Sequence, residues 1–181
     1  PDPIQHLDMT AAQDRWQGYA AERSALLRFM AEQAISNVVF ITADIHGTAV
    51  NDLTYQDAPA AAHQPVAAWE ISVGPIAAFE TFGLAIILTY QELGLLSDAD
   101  VEHYYSLPIR PDRDATPDDR DDYVQEALNR SLARLGYNPI GLPTPTGAAG
   151  ALDAELLAGD YLAAETYGWT EFEIDAATQA L

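Results

Sequence analysis

The chain has no cysteine and no lysine, and its eight basic residues are all arginine. Without thiols it holds no internal disulfide and no thiolate metal ligand, and composition leaves the redox compartment open. Basic charge is scarce: 28 acidic residues bring the formal charge to -20. That balance excludes the basic face a nucleic-acid binder needs. Long apolar runs are missing too. Phe82 to Tyr90 is apolar, but it is far too short to span a bilayer and contains Gly83. These residues show no signal-peptide pattern. What is present is a chain of 181 residues, 49% apolar, long enough for one domain with a real core. The acidity suits salty or extracellular settings and cations such as Ca2+, and it equally suits plain solubility.

The hydrophobic pattern reads as alternating α and β units without internal repeats. Tyr19, Leu26, Leu27, Met30 and Ala34 recur at helical spacing. "NVVFIT" then reads as a strand opened by the turn residue Asn37, and its unbroken apolar run suits a central strand buried on both faces. In "AAWEISVG", Trp69, Ile71 and Val73 alternate with Ala68, Glu70 and Ser72, which predicts a second strand. A helix is expected near Ala77 to Gly94, and Ser97 is positioned to cap a short one after it. The charged stretch "RPDRDATPDDRDD" reads as a solvated connector. It leads into a helix with Thr116 as N-cap and Pro117 in first position, a stripe from Val124 to Leu135, and Gly136 as the stop. "NPIGLPTPTGAAGA" reads as a loop, and it lacks the Gly-Lys-Ser/Thr ending of a phosphate loop. In "YGWTEFEID", Phe172 and Ile174 alternate with acids, which predicts a late strand, and a returning hairpin strand is expected after it.

Asp44 and His46 stand at the mouth of the first strand. In extended backbone, residues two apart point to the same side, so both could meet one ion. Open α/β sheets place ligands beyond the carboxyl ends of their strands. A carboxylate with an imidazole suits Fe, Mn or Zn. The bland reading is a turn with a stray histidine, and Gly47 would serve that turn. Asn51 and Asp52 are read as turn residues that could also reach a hard cation. His6, His63 and His103 are read as solvated.

Context sharpens the reading. "QDRWQGYAAERSALLRFMAEQAISNVVFITADIHGTAVNDLTY" carries Asp14, Trp16, Gly18, Tyr19, Glu22 and Arg23. A helix follows, then Asn37 to Val39, Thr42, Asp44 and His46. This resembles the PhoD-like alkaline phosphatases, a branch of the calcineurin-like metallophosphoesterases, whose pattern is D-x-W-x-G-Y-x-x-E-R, then N-V-V-x-L-T-G-D-V-H. "WEISVGPI" and "YGWTEFEID" resemble later strands of that family, while residues 83–150 match only loosely. Ala43 stands where the family usually has Gly.

The resemblance implies the C-terminal half of an α/β/β/α sandwich with a mixed sheet, incomplete at both ends across residues 1–181. It implies hydrolysis of phosphate mono- or diesters by metal-activated water. Fe3+ and Ca2+ are the implied metals, other divalent metals being possible. Asp44 and His46 would be ligands or phosphate-facing residues. The resemblance also implies an extracellular, periplasmic or cell-surface location. Asp14, Trp16, Tyr19 and Arg23 would either wall the site or serve structure, with Trp16 and Tyr19 in the core and Arg23 paired to an acid. The structural reading is preferred for these four. The family's N-terminal metal motifs do not occur in the chain. The other half of the catalytic domain is therefore expected from the same precursor or a partner chain, and these residues alone are expected to be inactive. The alternative is a noncatalytic acidic interaction module or a calcium-binding one.

Overall fold

The computed structural model describes residues 2–7, 15–58, 60–110, 116–141, 160–172, 174 and 176–177. Asp14, part of the charged connector, most of the Pro/Gly loop and the expected C-terminal hairpin strand lie outside the described residues. The fold is mixed α/β. A short 3-10 turn at Trp16–Tyr19 runs into α1 (Ala20–Glu32), then β1 (Val38–Thr42), β2 (Thr48–Tyr55) and β3 (Gln64–Ser72). Three helices follow, α2 (Phe82–Glu92), α3 (Asp98–Ser106) and α4 (Arg120–Leu135), and a short β4 (Leu162–Ala163) completes the described elements. The sheet is four-stranded in the order β1-β3-β2-β4. β1 runs parallel to β3, while β2 runs antiparallel to both β3 and β4.

The local signals act as expected where they are strong. Asn37 opens β1 with φ 58. Ser97 forms a full capping box with Asp100 at α3. Gly136 ends α4 in the left-handed conformation, φ 76. α4 starts later than predicted, because Asp119, not Thr116, accepts the capping bond, from Asp122 N at 3.0 Å. α2 likewise begins at Phe82, capped by Thr81.

Four expectations are corrected. Among the described residues β1 lies at the edge of the sheet, not in its centre: Val38 to Phe40 are only half-buried and Ile41 is 56% exposed. Asn51 and Asp52 are not turn residues but lie inside β2, and Asn51 is fully buried. The described part of "YGWTEFEID" forms no strand. Its alternation is real, but no neighbouring strand among the described residues pairs with it. His6 is not solvated: it is 6% exposed and stacks on Tyr137 with ring centroids 4.0 Å apart.

Two apolar clusters hold the fold. Leu27 and Met30 of α1 pack with Leu53, Val66 and Ala68 of the sheet. α2, α3 and α4 bury Phe82, Ile86, Tyr104, Val124 and Leu128 together with Ile45 and Ala49. At roughly 1.5–3 kcal/mol for each fully buried large side chain, these contacts supply the main driving force. The second cluster matters for the site, because it seats α2 directly under the turn that carries His46.

Residues 4–7 are buried: Ile4 and Leu7 join the two apolar clusters, and the backbone of Ile4 and Gln5 meets a polar partner. Both Ile4 N and Gln5 N donate to the Glu70 carboxylate, and Asn51 Nδ2 adds a third bond to it at 3.3 Å. Burial raises the Glu70 pKa, and these bonds and the charge of Arg23 oppose the rise.

Candidate site at the mouth of strand β1

Thr42 closes β1 with its side chain inward, where Thr42 Oγ1 and Ser72 Oγ lie 2.8 Å apart. Val73 N donates to Thr42 O at 2.8 Å, which carries the β1–β3 ladder one step past the strands. The chain then turns. Asp44 has φ 80 and His46 has φ 59, both in the left-handed region. The extended geometry expected for this pair therefore does not hold, and side-chain alternation along a strand cannot orient it. Two non-glycine residues in that region carry local strain of order 1–3 kcal/mol each, which the surrounding contacts must offset. Such strain is concentrated at functional sites more often than elsewhere.

Those contacts come mainly from residues 80–82. His46 Nδ1 lies 3.0 Å from Glu80 O, and Phe82 N donates to His46 O at 3.2 Å. A carbonyl can only accept, so Nδ1 must carry the proton. In the neutral ring Nε2 then bears the lone pair, the usual arrangement of a ligating histidine. Gly47 follows in close approach. A Cβ there would lie 2.8 Å from Phe82 Cβ and 3.0 Å from Ala163 O. Glycine is needed here for space, and no positive φ is involved.

Asp44 and His46 are both exposed, while Ile45 between them is buried in the α2–α4 cluster. The turn thus presents a carboxylate and an imidazole to solvent and anchors itself through the residue between. The loop after β3 borders it. Pro75 O accepts from Gly168 N at 3.2 Å, and Ala78 O accepts from the Tyr167 hydroxyl at 3.0 Å. Ile76 and Phe79 on this loop and Trp169 beside it are almost fully exposed or largely so.

The other candidates lie elsewhere. Trp16 packs against the Leu27 and Leu53 cluster. Tyr19 is 52% exposed and is not core. Arg23 is buried and donates to Ile4 O at 2.5 Å and to Thr54 O at 3.0 Å, near the far end of the sheet from Thr42. Burial lowers its pKa to about 10, with Glu70 pulling the other way. His63 lies 2.9 Å from Thr54 Oγ1 and 3.0 Å from Gly136 O. His103 is exposed on α3 and meets Tyr123 edge-on. The residues that support the turn, Glu80, Thr81 and Glu165, carried no separate signal in the sequence. Thr81 is legible only as a helix cap once the start of α2 is known.

The donor chemistry fits a cation. An exposed carboxylate and an imidazole whose Nδ1 is turned to a carbonyl are both ligands for transition metals. Two donors do not close a coordination shell, and no group of three or more His, Asp or Glu able to hold a metal occurs among the described residues. Among those residues, too, no helix is long and apolar enough to cross a membrane.

A family model described as PhoD-like phosphatase matches residues 2–94, just over half of the chain. No curated protein and no solved structure matches it. The matched span runs from the buried N-terminal segment through the turn of Asp44 and His46 to the end of α2.

Proposed function

The chain belongs to the PhoD-like phosphatase family, and from that premise we propose that it forms part of a metal-dependent catalytic unit that hydrolyses phosphate mono- or diesters. Membership of this generally metal-dependent family supports phosphatase-type hydrolysis, a hydrolase activity. The finer reading rests on one observation, the grip of Glu80 O on His46 Nδ1. That bond leaves the ring able to use Nε2 as a ligand or toward phosphate.

On this reading Asp44 and His46 would hold one edge of a site for Fe3+, Ca2+ or another divalent ion. When bound, such ions stabilise charge on the phosphoryl oxygens and acidify a water nucleophile. The chain's own part is to orient the imidazole, keep its proton on Nδ1 and present the Asp44 carboxylate to solvent on the same turn. The remaining ligands belong to the N-terminal half of the catalytic domain, in the same precursor or in a partner chain. An extracellular, periplasmic or cell-surface setting suits the charge of -20. The competing reading, a noncatalytic acidic or calcium-binding module, draws on the same charge.

One assay separates them. Hydrolysis of a chromogenic phosphate monoester and diester is measured, with Fe3+ and Ca2+ added, for the complete protein, its His46→Ala variant and these 181 residues alone. Turnover by the complete protein only, with folding of the variant unchanged by circular dichroism, is the expected result. Wild-type turnover by His46→Ala would remove His46 from the site. Robust turnover by the isolated chain would end the idea of a supplementary half.

A further inference from the structure

Glu165 is a buried carboxylate with no assigned role, and it lies well outside the matched span. Its Oε1 accepts from the Tyr104 hydroxyl at 2.5 Å and its Oε2 from Thr81 Oγ1 at 3.0 Å. Its backbone is held as well. Asp121 Oδ1 accepts from Ala164 N at 2.5 Å and from Glu165 N at 2.9 Å, while Ala164 O accepts from Gly83 N at 2.9 Å. Gly83 opens the space: a Cβ at that position would overlap Glu165 Oε1 and lie 2.8 Å from its Cδ. Gly83 is the second residue of α2, where glycine costs less than the roughly 1 kcal/mol it loses to alanine in a helix interior. Here the missing methyl is what lets the carboxylate sit against α2.

This seat bears on His46. Thr81 has one hydroxyl proton, and the carboxylate takes it. The hydroxyl oxygen is thereby turned to accept from Leu84 N at 3.4 Å, capping α2. The residues on either side of Thr81 are the two that grip His46, Glu80 through the ring and Phe82 through the main chain. Fixing Thr81 fixes both. We propose that Glu165 is a positioning residue: through Thr81 it holds the Glu80 carbonyl against His46 Nδ1 and so keeps Nε2 as the unprotonated nitrogen. The proposal rests on reading His46 as a site residue, but its first readout does not depend on activity.

The test uses 15N-histidine-labelled chain, free of metal under chelator, at a mildly alkaline pH where imidazole is neutral. His46→Asn assigns the His46 signals. Wild type is expected to show Nδ1 protonated and Nε2 not. Glu165→Gln keeps the shape but exchanges one acceptor oxygen for a donor, so Tyr104 and Thr81 can no longer both donate to it and one hydroxyl must accept from the amide instead. It should shift His46 toward the Nε2–H form. Thr81→Val should do the same and Thr81→Ser should restore the wild-type pattern, which keeps the test sharp if Glu165→Gln folds poorly. In the complete protein, Glu165→Gln should lower kcat about tenfold, the size usual for groups that orient a ligand. A wild-type tautomer in both Glu165→Gln and Thr81→Val overturns the proposal, as does an Nε2–H form in wild type. A shifted tautomer with unchanged turnover, alongside an active His46→Ala variant, would keep the positioning and sink the site reading instead.

Discussion

His6 should give the fold a steep acid limit of its own. The ring is 6% exposed, its Nδ1 has no hydrogen-bond partner among the described residues, and Tyr137 lies flat against it. Burial, with the positive charge of Arg23 and then of His63 adding to it, lowers its pKa from 6.5 to about 3. A depressed pKa means that the unfolded chain binds the proton more tightly than the native one. The stabilising contribution of His6 is therefore complete above pH 6.5 and is lost as pH falls toward 3. One pKa unit is worth about 1.4 kcal/mol, so the full swing is on the order of 5 kcal/mol, against a total stability of about 5–15 kcal/mol. Asp121, raised by burial to about 6, acts with the opposite sign: its contribution is present below 3.8 and is lost as pH rises through 6. Glu70 and Glu165, also raised by burial, act in the same direction as Asp121. A difference measurement cancels these groups. In His6→Phe the stacked ring is kept and the titration removed. Urea unfolding of both proteins from about pH 7 to about pH 4 should show wild type losing about 1.4 kcal/mol per pH unit relative to the variant. A difference that stays flat across that range would refute the claim that His6 is held neutral.

Much of the fold was legible because its signals are local. Ser97 and Asp100 sit three apart, and a capping box needs nothing more. Gly136 ends α4 for reasons contained in one turn of backbone. The failures share a different cause. "NVVFIT" reports apolar side chains, but a strand's place in a sheet depends on its neighbours, and β1 has β3 on one side and no described strand on the other. β2 was missed because Asn51 and Asp52 have turn propensity. Asn51 overrides it by bonding the Glu70 carboxylate and Gly141 N. His6 looks like a polar terminal residue until Glu70, distant in sequence, captures the amides of Ile4 and Gln5 and draws the segment inward. At the site, residue types and position were legible and conformation was not. Strand periodicity assumed an extended Asp44 and His46, yet the left-handed turn orients them through contacts from residues 80–82.

Two further outcomes follow from the helix ends under the site. Asp119→Ala removes the acceptor of the Asp122 amide at the start of α4 and should cost about 1 kcal/mol, read from urea midpoints at unchanged m. Gly83→Ala sets two effects against each other. Alanine is the better helix former by up to about 1 kcal/mol in a helix interior and by less here, in the first turn of α2. Its methyl, however, would fall on Glu165 Oε1 and 3.1 Å from Val124 Cγ2. The carboxylate cannot simply swing away, because Tyr104 and Thr81 both donate to it and Tyr104 is fully buried. Displacing it would leave a buried hydroxyl unpaired, at about 1–3 kcal/mol. Gly83→Ala should therefore destabilise the native state by about 1–2 kcal/mol despite its propensity. The cause is isolated by repeating the substitution in a Glu165→Ala background, where the space is vacant. There the methyl meets no carboxylate, and the sign should reverse to neutral or stabilising. Equal costs in the two backgrounds would show that Gly83 is not there to seat Glu165.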